Sequence, residues 1–411
     1  VALDPAEFAE SVWSRRPLLS RREARGDDTS YDDLFSLDAV DELLSRRGLR
    51  TPFIRIAKGG RVVPPARYTG PGGTGAQVRD QVADDQVLEL FLDGHTIVLQ
   101  GLHRIWPPLI DFAGALRTEL GHPVQVNAYV TPASNQGFAA HYDVHDVFVL
   151  QVAGTKRWQV HAPVLVDPRR DQQWSDRATE VAARAAEAPL IDEELRPGDA
   201  LYLPRGYLHS AVARGGVAAH LTVGVHPVTR ADVLDVLTEL VADDPALRTS
   251  LPLGVDVGSP ADIVADVEQT VDALTRRLRA VTAHEVAARL SKARLDAGRP
   301  APLGPLAAAR DHAGLHLDSL LRPRVHVVVD ARVTDIDVLL SLPGRSLTLP
   351  GQTAKAVSVA LAGPVRVREL PGMRPDAALD LARRLVGAGV VTVDRSDEVD
   401  HRQPDPGPGR S

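Results

Sequence analysis

The hydrophobic rhythm of the chain changes three times. Near the N-terminus, DPAEFAESVW has helical spacing, with Asp4 placed to cap the first turn and Pro5 inside it. From residue 59, GGRVVPPARYTGPGGTGAQ is loop, and IWPPLIDFAGALRTELG then reads as a Pro-started helix closed by Gly121. From about 95 to 227 the pattern is strand-like. PVQVNAYVTP, HYDVHDVFVLQVAG, KRWQVHAP, DALYLPRGYLHSAVA and VAAHLTVGVHP are short runs rich in Val, Tyr, Leu and Thr, broken by Gly and Pro. From about 228, RADVLDVLTELVADDP and PADIVADVEQTVDALTRRLRAVTAHEVAARLSKARLDAG place apolar residues three and four apart with charges between, which predicts helices. Beyond about 320, segments such as DVLLSLPGRSLTLP and ALDLARRLVGAGVVTVD alternate strand and helix.

These shifts divide the chain into a mainly β domain with an N-terminal helical and loop extension (1–227), a helical region (228–300), a small α+β domain (301–400) and a disordered tail, HRQPDPGPGRS (401–411). No repeat of fixed period is visible. The helical region fits two roles, a packed bundle bridging domains or an amphipathic face for a second copy of the chain.

Composition narrows the chemistry. With 44% apolar and 25% charged residues and a net charge of -7, the chain is an ordinary globular sequence with no basic footprint, so direct nucleic-acid binding is not expected. It has no cysteine, which excludes disulfides, thiolate metal sites and thiol catalysis and leaves nitrogen and oxygen ligands for any metal. No segment approaches the roughly 18 apolar residues of a membrane span, and VALDPAEFAESVW lacks a basic n-region with an apolar core. The expected location is cytoplasmic.

Against that background HYDVHDVFVLQVAGTKRW, residues 141–158, stands out, because it places metal-ligand side chains on an apolar, β-branched segment. Two apart on a strand, His141 and Asp143 would point to one face. A third ligand is available in LYLPRGYLHSA, where a turn at Pro204 and Gly206 would deliver His209 to the start of a strand, 66 positions after Asp143. Two histidines and a carboxylate on one side of a metal form the facial triad of non-heme Fe(II) oxygenases, with positions left open. His-x-Asp is weak alone and can mark hydrogen-bonded core groups. The chain holds its own decoy in His316-Leu317-Asp318 with His326, which lies outside the β-rich region and reads as structural.

Only four residues are lysine (58, 156, 292 and 355), and Lys156 follows Gly154 at an expected turn after the metal-bearing strand. Its ammonium can pair with an anionic co-substrate or sit solvated on the turn. Asn127 and Tyr129, two apart on the preceding strand, would add donors to the same pocket. His220 is expected either beside the pocket, orienting it from behind the ligands, or as a satisfied core histidine. His145 shares the face of His141 and Asp143 but, two residues farther along, is expected to be structural.

NAYVTPASNQGFAAHYDVHDVFVLQVAGTKRWQV, RPGDALYLPRGYLHSA and HLTVGV together resemble the JmjC-type 2-oxoglutarate oxygenases, most closely the ribosomal-oxygenase branch, with a dense match over 91–226. The resemblance implies a double-stranded β-helix (cupin/JmjC barrel), Fe(II) on His141, Asp143 and His209, and Lys156 on the distal carboxylate of 2-oxoglutarate, with Asn127 and Tyr129 lining that pocket. It further implies dioxygen as co-substrate, an arginine or histidine of a ribosomal protein as target, a helical dimerisation region giving a homodimer, and a winged-helix-like C-terminal domain. RVHVVVDARVTDIDVLL lacks clustered basic residues, so an interaction role is expected there rather than DNA binding. The competing readings are hydroxylation of another protein or peptide-derived metabolite, and a non-catalytic cupin-type ligand-binding regulator.

Overall fold

Alternation of apolar and polar residues gives a strand two unlike faces, and in the computed structural model this alternation organises the first of two compact units, Val1–Ala231. The structure describes residues 3–394 except 27–29, 76, 298–299, 326, 328, 335 and 343. His326 and the 401–411 tail lie outside the described residues. The strands that matter for the site are β1 (Leu18–Ser20), β2 (Ile54–Lys58), β3 (Thr96–Leu99), β4 (Val124–Thr131), β5 (Asp146–His161), β6 (Ile191–Leu195), β7 (Ala200–Leu203) and β8 (Leu208–Val225). They hydrogen-bond in the order β1-β7-β5-β8-β4-β3-β2, with β6 beside β5, and these pairings are antiparallel.

The outer face of β2, β3, β4 and β8 is apolar. Ile56, Leu99, Ala128, Val130, Leu221 and Val223 pack with Leu43 of helix Leu37–Arg46, Leu90 of helix Asp84–Leu92 and Leu109 of helix Pro107–Leu120. The alternate residues, Arg55, Thr96, Tyr129, Thr131, His220 and Thr222, line a cavity on the inner face. Burial of the outer face therefore fixes which side chains point inward, since a slip of one residue would exchange the two sets.

β5 and β8 are the longest pair. Their register runs from Leu208↔His161 to Arg214↔Thr155, breaks, and resumes at Ala219↔Ala153 and His220↔Gln151. The unequal residue count bends the pair and curls the sheet around the cavity. Gly154 sits at the break with φ +58°, and a Cβ there would lie 2.2 Å from the Val217 carbonyl oxygen.

Two local expectations change. His141 and Asp143 are not on a strand: β5 begins at Asp146, and His141 makes an isolated bridge to His209. The cause is Tyr142, 1% exposed, whose ring buries against Val181 and Leu208, while the Gly206 N–H donates to the Asp143 carbonyl. Nor does a turn follow Gly154. β5 continues through it to His161, and Lys156 lies within the strand, 2% exposed.

The second unit, Asp232–Ser411, contains helices Pro260–Ala280 and Ala283–Ala297, separated by a capping box in which the side chains of Thr282 and Glu285 each accept the other's backbone N–H. Its C-terminal part pairs strand Leu320–Pro323 with Val365–Arg366 and Val391–Val393, and adds a meander of Asp330–Val333, Asp337–Leu342 and Arg345–Pro350. Helices Ala354–Ala362 and Pro375–Gly387 share its core through Ala356, Val357, Leu381 and Leu385. The decoy motif is structural: His316 Nδ1 accepts the Asp318 N–H at 3.2 Å, and Asp318 pairs with Arg368. Among the described residues no helix is long and apolar enough to cross a membrane.

Gly154→Ala combines positive φ with a backbone clash, and is expected to cost roughly 3 kcal/mol of stability, read from urea denaturation of the purified chain.

Candidate metal centre

The backbone aligns the two histidines before any ligand is considered. His209 N–H donates to the His141 carbonyl at 2.8 Å and His141 N–H donates back at 3.2 Å, so the rings project together with centroids 4.6 Å apart. Each ring is oriented by a carbonyl two residues earlier: His141 Nδ1 lies 2.8 Å from the Ala139 oxygen and His209 Nδ1 3.2 Å from that of Tyr207. With Nδ1–H donated in both, Nε2 is the free nitrogen, the tautomer a metal requires. Asp143 Oδ2 is 3.7 Å from His209 Nε2, and one donor atom each from His141, Asp143 and His209 lie within 4.8 Å of one another.

The turn before His209 is fixed by Asp146. This fully buried carboxylate accepts the Arg205 N–H at 2.8 Å and the hydroxyls of Tyr202 and Ser14, each at 3.1 Å. Gly206 completes the turn at φ +88°, where a Cβ would stand 2.5 Å from the Leu165 oxygen.

Electrostatics prepare the ligands. Burial, followed by the neighbouring His141, pulls His209 down to about 4, so it is neutral at physiological pH. Burial alone would raise Asp143, but His145, His209 and His141 outweigh it and hold the carboxyl below its usual range. Neutral imidazoles and an ionised carboxylate are the forms that bind a divalent cation.

The three ligands open onto a cavity of about 370 Å³ that contains Lys156. The Lys156 Nζ donates to the Tyr129 carbonyl (3.1 Å), Thr131 Oγ1 (3.0 Å) and His220 Nδ1 (2.9 Å). These are neutral acceptors, and burial pulls the ammonium down to about 7. His220, which burial and then Lys156 hold well below the ordinary histidine range, stacks on Tyr129 with centroids 5.1 Å apart and planes 2° from parallel. Burial pushes Tyr129 up to about 12, so its hydroxyl remains a donor. Trp158 Nε1, on the same wall, is buried without an acceptor. A facial nitrogen and oxygen donor set at one end, with a buried ammonium lacking a counter-charge and an unpaired N–H at the other, fits a divalent metal with a carboxylate-bearing co-substrate.

The structure thus brings His141, Asp143, His209, Lys156, Tyr129 and His220 to one cavity. Asn127 is on the same face of β4 but one repeat away, and its Oδ1 accepts the Gly101 N–H at 3.0 Å. His145 turns elsewhere, packing on His226 with centroids 4.8 Å apart. Sequence reasoning missed Thr131, Trp158, Arg55, Phe138 and Trp174, all on the cavity wall. Thr131 and Trp158 continue the two-residue spacing from Tyr129 and Lys156 and were within reach of that rule. Arg55 and Trp174 come from segments with no motif, and Phe138, although inside the stretch that carries the resemblance, is not itself a ligand or donor type.

Comparison with known proteins agrees with this geometry. Residues 112–233 match the JmjC domain family. Over 270 residues the chain is 32% identical to Ribosomal oxygenase 2 of Rattus norvegicus, covering 62% of this chain and 54% of that protein. Over 261 residues it is 38% identical to the Bifunctional lysine-specific demethylase and histidyl-hydroxylase NO66 of Drosophila erecta, covering 60% of this chain and 36% of that protein. The chain therefore spans about half or less of the length of these relatives. Among solved structures, the ribosomal oxygenase YcfD from Escherichia coli in complex with cobalt and 2-oxoglutarate superposes with a TM-score of 0.54 at 18% identity, covering 95% of this chain and 98% of that one. At that identity the likeness is one of fold.

Lys156 makes stability pH-dependent. Its pKa is depressed in the folded chain, from 10.5 to about 7, so between these values the unfolded chain binds more protons and stability rises with pH. Below about 7 both states are protonated and the effect vanishes. Urea midpoints from pH 7 to 9.5 should climb in the wild-type chain relative to Lys156→Met. Parallel profiles would show that Lys156 is not the titrating group.

Proposed function

Because residues 112–233 match the JmjC domain family, we propose that the chain is an Fe(II)- and 2-oxoglutarate-dependent oxygenase that hydroxylates an arginine or histidine side chain of a ribosomal protein. The observation that carries this reading is the pairing, in one cavity, of the His141, Asp143 and His209 donor set with a buried Lys156 that has no counter-charge. The names of the similar proteins, ribosomal oxygenases and a histidyl-hydroxylase, supply the target class, and the fold neighbour with cobalt and 2-oxoglutarate bound supplies the co-substrate.

In this reading His141, Asp143 and His209 hold the iron, and Lys156 takes the distal carboxylate. Bound together, iron and 2-oxoglutarate supply oxidative decarboxylation to succinate and carbon dioxide, coupled to hydroxylation of a C–H bond by dioxygen. The chain does the positioning. His220 accepts from Lys156 and keeps the ammonium aimed into the cavity, Tyr129 braces the His220 ring by stacking on it, and Trp158 offers its free Nε1–H to an oxygen of the co-substrate.

The rest of the chain extends the reading. A net charge of -7 suits encounter with a basic ribosomal protein and a cytoplasmic site of action. On helix Pro260–Ala280, Val264, Val267 and Val271 are each about half exposed at spacings of three and four, a stripe suited to the same helix of a second copy. The C-terminal α+β region is assigned a winged-helix-like role in shaping protein contacts, without direct DNA binding.

Anaerobically Fe(II)-loaded chain, given 2-oxoglutarate, ribosomal proteins and then air, should form succinate and add one oxygen to a single protein by intact mass, with both signals lost in His141→Ala. Turnover without any mass gain would discard the ribosomal target, and absence of 2-oxoglutarate binding would discard the oxygenase. Val267→Glu together with Val271→Glu should convert a dimer to monomer in sedimentation velocity; a wild-type monomer would contradict the dimer.

A further inference from the structure

The cavity contains a second cation that the reading above leaves without a role. Arg55, from the inner face of β2, lines the same cavity as the metal ligands. Its guanidinium lies over the Phe138 ring, 5.2 Å from the centroid, and against the Tyr129 hydroxyl. Phe138 in turn stands 6.1 Å from the His141 ring, so a single aromatic ring separates Arg55 from a metal ligand. The Arg55 Nε is buried and has no hydrogen-bond acceptor, and no carboxylate forms an ion pair with Arg55 among the described residues.

Charge balance shows what this cation does once the site is loaded. A divalent metal and Lys156, held protonated by the distal carboxylate it meets, together offset the Asp143 carboxylate and the two carboxylates of 2-oxoglutarate. Arg55 is then the uncompensated charge on the cavity wall. In a partly desolvated cavity a like charge is repelled strongly, while a neutral or anionic acceptor gains a charge-assisted hydrogen bond and relieves the unpaired Nε.

We propose that Arg55 is a specificity-determining residue that admits a target side chain entering uncharged or acidic, with an acceptor for the guanidinium, and turns away arginine and lysine. This rests on the oxygenase reading and sharpens it. Of the two targets named there, arginine is excluded and neutral histidine is retained, and amide and carboxylate side chains meet the same condition. Aromatic Phe138 and Tyr129 complete a wall suited to a flat, uncharged group beside the guanidinium.

The test is peptide selection on the whole chain, loaded without oxygen with Mn(II) and N-oxalylglycine, a redox-inert stand-in for 2-oxoglutarate. A random peptide pool is captured at pH 8, where histidine is neutral, and in 0.5 M salt, which screens the acidic surface. Captured sequences are compared with the input pool for wild type, Arg55→Lys, Arg55→Gln and Arg55→Glu. Arginine and lysine at the selected position should be depleted on the order of ten-fold by wild type and Arg55→Lys. Depletion should disappear in Arg55→Gln and turn to enrichment in Arg55→Glu. Affinity for N-oxalylglycine, read by fluorescence of the cavity tryptophans Trp158 and Trp174, should stay within about two-fold in Arg55→Gln. Capture of arginine at or above its input frequency by wild type, including unselective capture, overturns the proposal. So does a ten-fold loss of N-oxalylglycine affinity in Arg55→Gln, which would assign Arg55 to the co-substrate. If wild type does not bind N-oxalylglycine at all, the oxygenase reading itself fails, and that signal is separate from the peptide counts. Should Arg55→Gln not fold, arginine capture by wild type at or above its input frequency still overturns the proposal, and the change from depletion to enrichment in Arg55→Glu still tests the assignment to Arg55.

Discussion

The antiparallel pairing of β5 with β8 is the constraint on which the rest of the first unit depends. One end of the pair sets Leu208 opposite His161 and so positions His209. Near its middle the register breaks at Gly154, and the resulting bend brings Lys156 of β5 and His220 of β8 within 2.9 Å of each other. Two distant stretches of sequence thereby share one cavity wall. Gly154 is required by a close approach, because the Val217 carbonyl occupies the space of a side chain.

Within that frame the cavity is organised by charge that the protein does not neutralise. Lys156 meets neutral acceptors, Arg55 has a free Nε, and Trp158 has a free Nε1–H. Buried polar groups in this state are costly to the folded chain. Such costs are concentrated where a ligand would relieve them, which is the usual signature of a binding site rather than of a core. The metal end differs. His141 and His209 each find a carbonyl for Nδ1, Asp146 locks the turn between them, and little rearrangement is needed to accept a cation. One end is assembled in advance, while the other awaits its counter-charge.

Legibility in the sequence follows the range of the interactions. The capped, Pro-started helices at Pro5 and Pro107 and the Gly121 stop are local and read directly. So did the inward set on β4, since Tyr129 alternates with the core residues Ala128 and Val130. The stretch at His141 misled because its β-branched residues have strand propensity, yet Tyr142 gains more from burial against Val181 and Leu208 than from a ladder. Gly154 misled in the opposite sense, as a glycine that reads as a turn serves a bulge inside a long strand.

The sequence by itself determined the ligand types, the absence of thiol chemistry, and the side of each strand that must be buried. These follow from side-chain chemistry and a two-residue period, which need no knowledge of distant partners. Tertiary structure alone decided that Arg55 shares a cavity with the metal ligands, that Lys156 is buried rather than solvated, and that Asn127 faces Gly101 instead of the cavity wall. Each of those depends on the register and curvature of strands far apart in the chain, set by the packing of the whole sheet.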